Sequence, residues 1–459
     1  MDLASGSGVQ QGDPIGPLLF SCCIQPLVLR LDQLFRQGAW ADPEGVTLFY
    51  LDDGILCGDV DTVSAGLRFV AEEATRIGLK LKLSKCELIL PAGNCSKDLH
   101  DLFPRELLYD ADNKDRVIRR GGFEFLGAPI GDSEFCNSHA GERVNKARKL
   151  LSAIGELPDP QIGLRLVRSC AGFCRLVYSA RVVCPDAHQP ALQEFDSVIK
   201  ETISDLTGLS LSDRQWAQAG RSFKTAGLGL RSGSRHAACA YLSSRASTRD
   251  KCLQIDPNFV WDIDSPGSDA SRAFQALAAT LPAESQLTTD DSRLASQRTL
   301  SKLVDESDFA CQYASADAGE RANLLSESLW GASGFLSAVP SKTLGLAMAP
   351  NEFIEELKAR LWIPTFPVDH FCPTCDMISD CHGLHARRCT GGGDITACHH
   401  ATRNQIYCFT ATAGWNPTLE QSHLLPPRPD DPSGSNLRRP ADVYLQSCLI
   451  LCTRLPCCI

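Results

Sequence analysis

The stretch Thr47–Asp59, TLFYLDDGILCGD, sets two adjacent carboxylates, Asp52 and Asp53, between two apolar, β-prone runs. Asp-Asp-Gly has the chemistry of a tight reversal, with Gly54 able to supply a positive φ at little steric cost, so the stretch predicts a buried β-hairpin with acids at its tip. Adjacent carboxylates repel each other, and in water-poor surroundings they shift in pKa or protonate unless a cation lies between them. A divalent metal is the simplest remedy. The plain alternative is a solvated turn, because these residues are what turns are made of.

The neighbouring segments narrow that choice. Gly8 to Phe20, GVQQGDPIGPLLF, sets Gly8, Gly12 and Gly16 around Gln10, Gln11 and an Asp-Pro pair, a backbone suited to close approach with amide side chains that donate and accept. The apolar spacing of the following SCCIQPLVLRLDQLF predicts a helix starting near Pro17. Gly78 to Leu88, GLKLKLSKCEL, alternates lysine with leucine, and by itself Lys85 reads equally well as a solvated strand lysine. Phe123 to Gly131 reads FEFLGAPIG.

In this order the four segments, spanning residues 8–131, resemble the palm of a reverse transcriptase of the non-LTR retrotransposon type. GVQQGDPIGPLLF resembles the motif against the templating base and incoming nucleotide, which assigns Gln10, Gln11 and Gly12 to that pocket. FYLDDG resembles the Tyr-x-Asp-Asp catalytic hairpin, with Tyr50 packed beneath the metal site. LKLKLSKCEL resembles the motif whose lysine, here Lys85, lies near the triphosphate, and FEFLGAPIG resembles the primer grip, with Phe125, Leu126 and Gly127. The resemblance implies an RNA-directed DNA polymerase, a nucleotidyltransferase whose partners are an RNA template, a DNA primer or target and dNTP. Asp52 and Asp53 would hold Mg²⁺ or Mn²⁺, which activates the attacking hydroxyl and steadies the leaving pyrophosphate, and Lys85 would offset charge on that leaving group. The family's catalytic set includes another aspartate on an earlier strand. Here Asp2 is the sole upstream acid, and MDLASGSG has no strand pattern around it. The chain is therefore expected to be an N-terminally truncated copy that does not polymerise alone.

A net charge of −10 with a pI near 5.5 is unlike a protein that grips a long nucleic-acid backbone over its whole surface. Basic clusters are local: Lys114, Arg116, Arg119 and Arg120, then Arg143, Lys146, Arg148 and Lys149. The second set has helical spacing and fits either a duplex-facing or a merely solvated helix face. Apolar residues recurring at three and four from Arg143 to Leu209, and again in TAGLGLRSGSRHAACAYLSSRAS, predict a helical, thumb-like bundle. The Ala-, Ser- and Asp-rich stretch after Asp262 predicts short amphipathic helices on a connector. No stretch approaches the twenty or so apolar residues of a membrane span, and the N-terminus lacks a basic-then-apolar signal pattern. A soluble, intracellular protein is expected, nuclear by the resemblance. The 22 cysteines are scattered, which makes reduced thiols the default.

One cysteine cluster is ordered. CPTCDMISDCHGLHARRC gives Cys372-x2-Cys375-x9-His385-x3-Cys389, thiolate and imidazole ligands at a spacing that suits tetrahedral Zn²⁺, with a knuckle for the first pair and a helix or turn for the second. Cys381 and His382 are spare ligands, and unligated thiols are the alternative. With the later Arg-Pro-Ala-Asp, the cluster resembles the restriction-endonuclease-like C-terminal domain of site-specific non-LTR elements, in which Asp442 would begin a strand and form half of a Mg²⁺ site. A second acid some fifteen residues on is not found: no Asp or Glu follows Asp442, and Cys448, Cys452, Cys457 and Cys458 crowd a tail unlike a nuclease core.

The chain is thus expected to be α+β, with a partial palm (antiparallel sheet with helices) and primer grip over 1–135, a helical thumb over 136–260, a helical connector over 261–365, a zinc-knuckle and endonuclease-like remnant over 366–445 and an unrelated tail over 446–459. Two functions fit: a reverse transcriptase inactive as this fragment, and a non-catalytic nucleic-acid binder using thumb and zinc knuckle.

Overall fold

The computed structural model describes residues 12–445, leaving out 39, 43, 92, 94, 120, 283–286, 290–294 and 426–440. Gln10, Gln11, Arg120 and the tail 446–459 lie outside the described residues, so the assignments made to them stay with the sequence. The protein is mixed α+β, mainly helical, with small antiparallel sheets. It divides into two compact units, 1–350 and 351–459.

In the first unit, helix α1 (Gly16–Gln37) has Pro17 in its first turn, where a missing N–H costs nothing. Leu27, Leu31 and Phe35, four residues apart, form its buried stripe. Against the expectation from sequence, α1 is long and apolar enough by length and composition to cross a membrane. It also carries Arg30, which pairs with Glu73 at 2.9 Å, and it packs on strand β1 (Val46–Tyr50) and helix α2 (Val60–Arg76). β1 pairs with β2 (Asp53–Cys57) in register Tyr50↔Asp53 to Val46↔Cys57. The Asp59 carboxylate starts α2 by accepting from the N–H groups of Asp61 and Thr62.

Several expectations for this region are corrected. The hairpin is not buried: no residue of β1 or β2 is fully covered, and among the described residues its sheet has two strands. Its reversal is Leu51–Asp52, with Leu51 at φ +57°, while Gly54 lies inside β2 at an ordinary φ. Gly54 is small for another reason, since a Cβ there would stand 2.5 Å from the Phe49 ring. The Lys-Leu alternation after Gly78 forms no strand, and among the described residues no strand pairs with it. The segment runs into a 3₁₀ turn, Leu83–Lys85, and Leu88 enters a small core with Phe103, Leu107 and Leu108. Those three come from the end of short helix α3 (Leu99–Leu102) and from α4 (Arg105–Leu108).

FEFLGAPIG does form a hairpin, β3 (Gly122–Phe125) with β4 (Ala128–Gly131), closed by Leu126 and Gly127. Asp132 then caps α5 (Ser133–Gly155), whose Cys136, Ala140, Val144, Ala147, Leu151 and Ile154 bury one face at three- and four-residue spacing. That face packs on α8 (Gln189–Thr207) after α6 (Pro160–Leu166) and α7 (Val177–Val182), and Gly208 at φ +68° ends α8. The chain continues through α9 (Asp213–Gly220) into α10 (Gly233–Ile255). Residues after 262 are helical as expected: α11 (Asp269–Ala278), α12 (Gln297–Ser315), α13 (Ala318–Ser328) and α14 (Gly334–Ser337). α11 and α12 share a core with α10 through Cys239, Leu242, Ala273, Leu277, Leu300 and Val304.

The second unit begins near α15 (Pro350–Arg360), followed by a two-residue strand pair, β5 (His370–Phe371) with β6 (Ile378–Ser379). Helix α16 (Asp394–Thr412) precedes β7 (Pro417–Leu419), which pairs with β8 (Val443–Leu445).

Candidate metal centre

The β5–β6 hairpin brings Cys372 and Cys375 onto one knuckle. The Cys372 N–H donates to the Met377 carbonyl at 2.8 Å, and Asp376 turns the chain at φ +57°. His385 and Cys389 flank a 3₁₀ turn, Ala386–Arg388. The Asp380 carboxylate holds that turn by accepting from the N–H groups of Leu384 and His385 at 3.1 and 2.8 Å.

The four side chains converge. One ligand atom from each of Cys372, Cys375, His385 and Cys389 lies within 4.8 Å of all the others. Cys372 Sγ is 3.7 Å from Cys389 Sγ, Cys389 Sγ is 3.6 Å from Cys375 Sγ, and Cys375 Sγ is 3.2 Å from His385 Nε2. Thiolates on a tetrahedral zinc with bonds of about 2.3 Å stand about 3.8 Å apart, so the donors fit the ion. The Thr374 hydroxyl lies 3.1 Å from Cys372 Sγ and 3.2 Å from Cys389 Sγ. Its hydrogen bond, with that of the Thr374 N–H, brings the Cys372 thiol down to about 5, and the same hydroxyl leads in holding Cys389 below the usual thiol range. A thiolate is the form that binds metal. This group can hold a metal such as Zn²⁺. Of the spare ligands, Cys381 is outside the group, and the His382 ring stacks on Trp362 with centroids 3.9 Å apart.

At the acid-tipped hairpin the outcome differs. Asp52 and Asp53 are exposed, and among the described residues no group of three or more His, Cys, Asp or Glu ligand atoms converges on them. Tyr50 is 64% exposed instead of packing beneath the pair, and Gly12 is exposed as well. Lys85 is exposed on its 3₁₀ turn. That turn is held by a residue the sequence grouped only as basic: Arg116 donates to the carbonyls of Ser84, Cys86 and Glu106 at 2.9, 3.0 and 2.6 Å.

The second hairpin has a defined tip. Leu126 at φ +50° and Gly127 at φ +77° make a turn with both central residues left-handed, the kind that matches strand twist. Tyr178 donates its hydroxyl to the Leu126 carbonyl at 2.9 Å, and Arg143 donates to the Gly127 carbonyl at 2.7 Å. Phe125 is half-buried behind them. Arg143 is therefore spent on the turn and does not face outward with its cluster. Arg148 pairs with Glu194 at 2.8 Å, and Lys146 and Lys149 stay exposed.

Asp442 immediately precedes β8. The β7–β8 pairing sets an unforeseen acid beside it, because the Glu420 N–H donates to the Asp442 carbonyl at 2.9 Å. The Glu420 carboxylate is engaged by Arg403, and His399 Nε2 lies 3.5 Å from Asp442 Oδ1. No family model matches the chain, and no curated protein matches it.

Proposed function

We propose that this is a reverse-transcriptase-type protein of a non-LTR retrotransposon, with 1–135 serving as a partial palm and 136–260 as the thumb, and that this chain binds primer–template without extending it. The observation that supports the reading is the acid pair on a strained tip. A leucine at φ +57° costs on the order of 1–2 kcal/mol, and such strain tends to be kept where a site needs it. Two-metal nucleotidyl transfer needs more carboxylate than Asp52 and Asp53 supply, which is why extension is not expected. Primer-extension and anisotropy measurements on one RNA–DNA hybrid test both halves. Binding that weakens with salt, without incorporation in Mg²⁺ or Mn²⁺, is the expected result. Template-dependent incorporation overturns the inactivity, and an absence of hybrid binding overturns the family reading.

A second reading, a nucleic-acid binder acting through the zinc knuckle, is favoured by the four converging ligands. Arg387 and Arg388 sit on the knuckle's 3₁₀ turn and are exposed. If this reading holds, hybrid binding falls on chelation and returns with Zn²⁺, while Asp52→Asn/Asp53→Asn leaves it unchanged.

A further inference from the structure

Within the first unit, the helical region forms a cavity of about 560 Å³. Its wall carries Arg168, Arg181, Arg231 and Arg298 and no Asp or Glu, with Phe173 and Leu230 among the apolar residues. Four like charges around one cavity repel, and among the described residues only Arg231 has a carboxylate partner, Asp305 at 3.3 Å. Arg181 donates Nε and Nη2 to the neutral Gln297 Oε1 at 3.1 and 2.9 Å. Arg168 donates to the Leu336 carbonyl at 2.8 Å and lies over the Phe223 ring at 4.2 Å. Burial, with repulsion from Arg165, brings its guanidinium down to about 10, which leaves it charged at neutral pH. Arg298 is exposed and makes no ion pair among the described residues.

The backbone adds to the same polarity. Gln297, Arg298 and Ser301 come from the first turns of α12, a 19-residue helix whose N-terminal end favours an anion. The facing wall includes the π-type turn Val167–Ala171, an irregularity often kept at functional sites. Four guanidinium groups with one neighbouring carboxylate give the cavity a net positive field, which draws an anion.

We propose that this cavity binds a phosphate-bearing ligand of nucleotide size, its phosphates on Arg181 and Arg298 with Arg168 and Arg231 behind them, and its organic part against Phe173 and Leu230. Ligand pockets run from about 300 to 1,000 Å³, so the volume suits one or two nucleotides. A free nucleoside triphosphate and a short piece of nucleic-acid strand share this chemistry. The proposal does not rest on the polymerase reading, since Asp52 and Asp53 take no part.

The test uses the full chain without added divalent cation, titrated calorimetrically with inorganic tripolyphosphate, dATP and a 5′-phosphorylated trinucleotide. At least one of these binds, and Arg181→Gln/Arg298→Gln weakens that binding at least about tenfold, whereas Lys146→Gln/Lys149→Gln does not. Tighter binding of dATP than of the trinucleotide assigns a free nucleotide, and the reverse order assigns a strand. A second readout needs no variant: Cys174 is exposed on the cavity wall, and the bound probe slows its alkylation, mapped by peptide mass. The proposal is overturned if none of the three probes binds, if a folded Arg181→Gln/Arg298→Gln chain binds like the parent, or if saturating probe leaves the Cys174 rate unchanged.

Discussion

Gly54 faces Phe49 across the β1–β2 ladder, and the 2.5 Å separation a Cβ would have from that ring sets what the position tolerates. In an open strand, Gly→Ala gains roughly 0.5–1 kcal/mol from the unfolded chain's lost freedom. Here displacement of the ring outweighs that gain, so Gly54→Ala costs about 1 kcal/mol net in urea unfolding, and adding Phe49→Leu restores most of it. Equal stability of Gly54→Ala and parent would mean that the ring swings aside freely. His188 is a buried counterpart. Neither of its ring nitrogens has a protein partner, and burial holds its pKa down at about 4 although Asp186 pulls the other way. The unfolded imidazole protonates near 6.5, so the unfolded state takes up more protons between those values. The stability His188 contributes is present in full above pH 6.5 and is lost, by up to roughly 3 kcal/mol, as the pH falls towards 4. His236, held low by burial beside Arg231 and Arg235, acts in the same direction. His188→Leu therefore flattens part of the acid slope of the guanidinium midpoint. An unchanged slope would remove His188 from the account.

Asp196 shows how one helix sets the start of another. From α8 it accepts the Gly233 and Ser234 N–H groups at 2.6 and 3.1 Å and the hydroxyls of Ser232 and Ser234 at 2.6 Å each. Ser232 in turn caps α10 through the Arg235 N–H at 3.1 Å. Asp196→Ala leaves these donors without their acceptor and costs about 2–3 kcal/mol in guanidinium unfolding, whereas Asp196→Asn, which keeps one acceptor oxygen, costs less. A smaller loss for Ala than for Asn would contradict this arrangement. The two ends of that contact were unequally legible. Apolar spacing from Arg143 onward reveals α5, α8 and α10, but nothing local in α8 points Asp196 at residues 36 and more positions away. The lysine-rich run misleads for the complementary reason. Its alternation suits a strand, yet a strand needs a neighbour, and Arg116 gathers the segment into a 3₁₀ turn instead. The metal ligands were the most legible part of the candidate sites, because Cys-x2-Cys and His-x3-Cys bring donors together within short loops. The approach of Glu420 to Asp442 depends on a strand pairing that sequence spacing does not encode.

Across the whole molecule, the division at residue 350 separates two bodies with different sources of stability. The first buries extensive apolar faces along α5, α8, α10 and α12. In the second, the described core is small, chiefly Phe353, Leu357, Leu361, Cys372 and Val443, and α16 buries no residue at all. A body with so little apolar burial leans on a cross-link, and a structural zinc supplies on the order of 10 kcal/mol of folding free energy near neutral pH. The purified chain is therefore expected to hold one zinc, read by a colorimetric release assay. Chelation then abolishes a thermal transition belonging to 351–459 and leaves that of the first unit in place, with recovery on adding Zn²⁺. Cys375→Ser reproduces the chelated scan and Cys381→Ser does not, because Cys381 lies outside the ligand group. Acid acts through the same bonds: protonating His385 and the thiolates competes with the metal, so the zinc-dependent transition falls with pH before that of the first unit. A chelated chain that keeps both transitions, with its thiols alkylating freely, would show that the knuckle folds without an ion and that the second unit draws its stability from elsewhere.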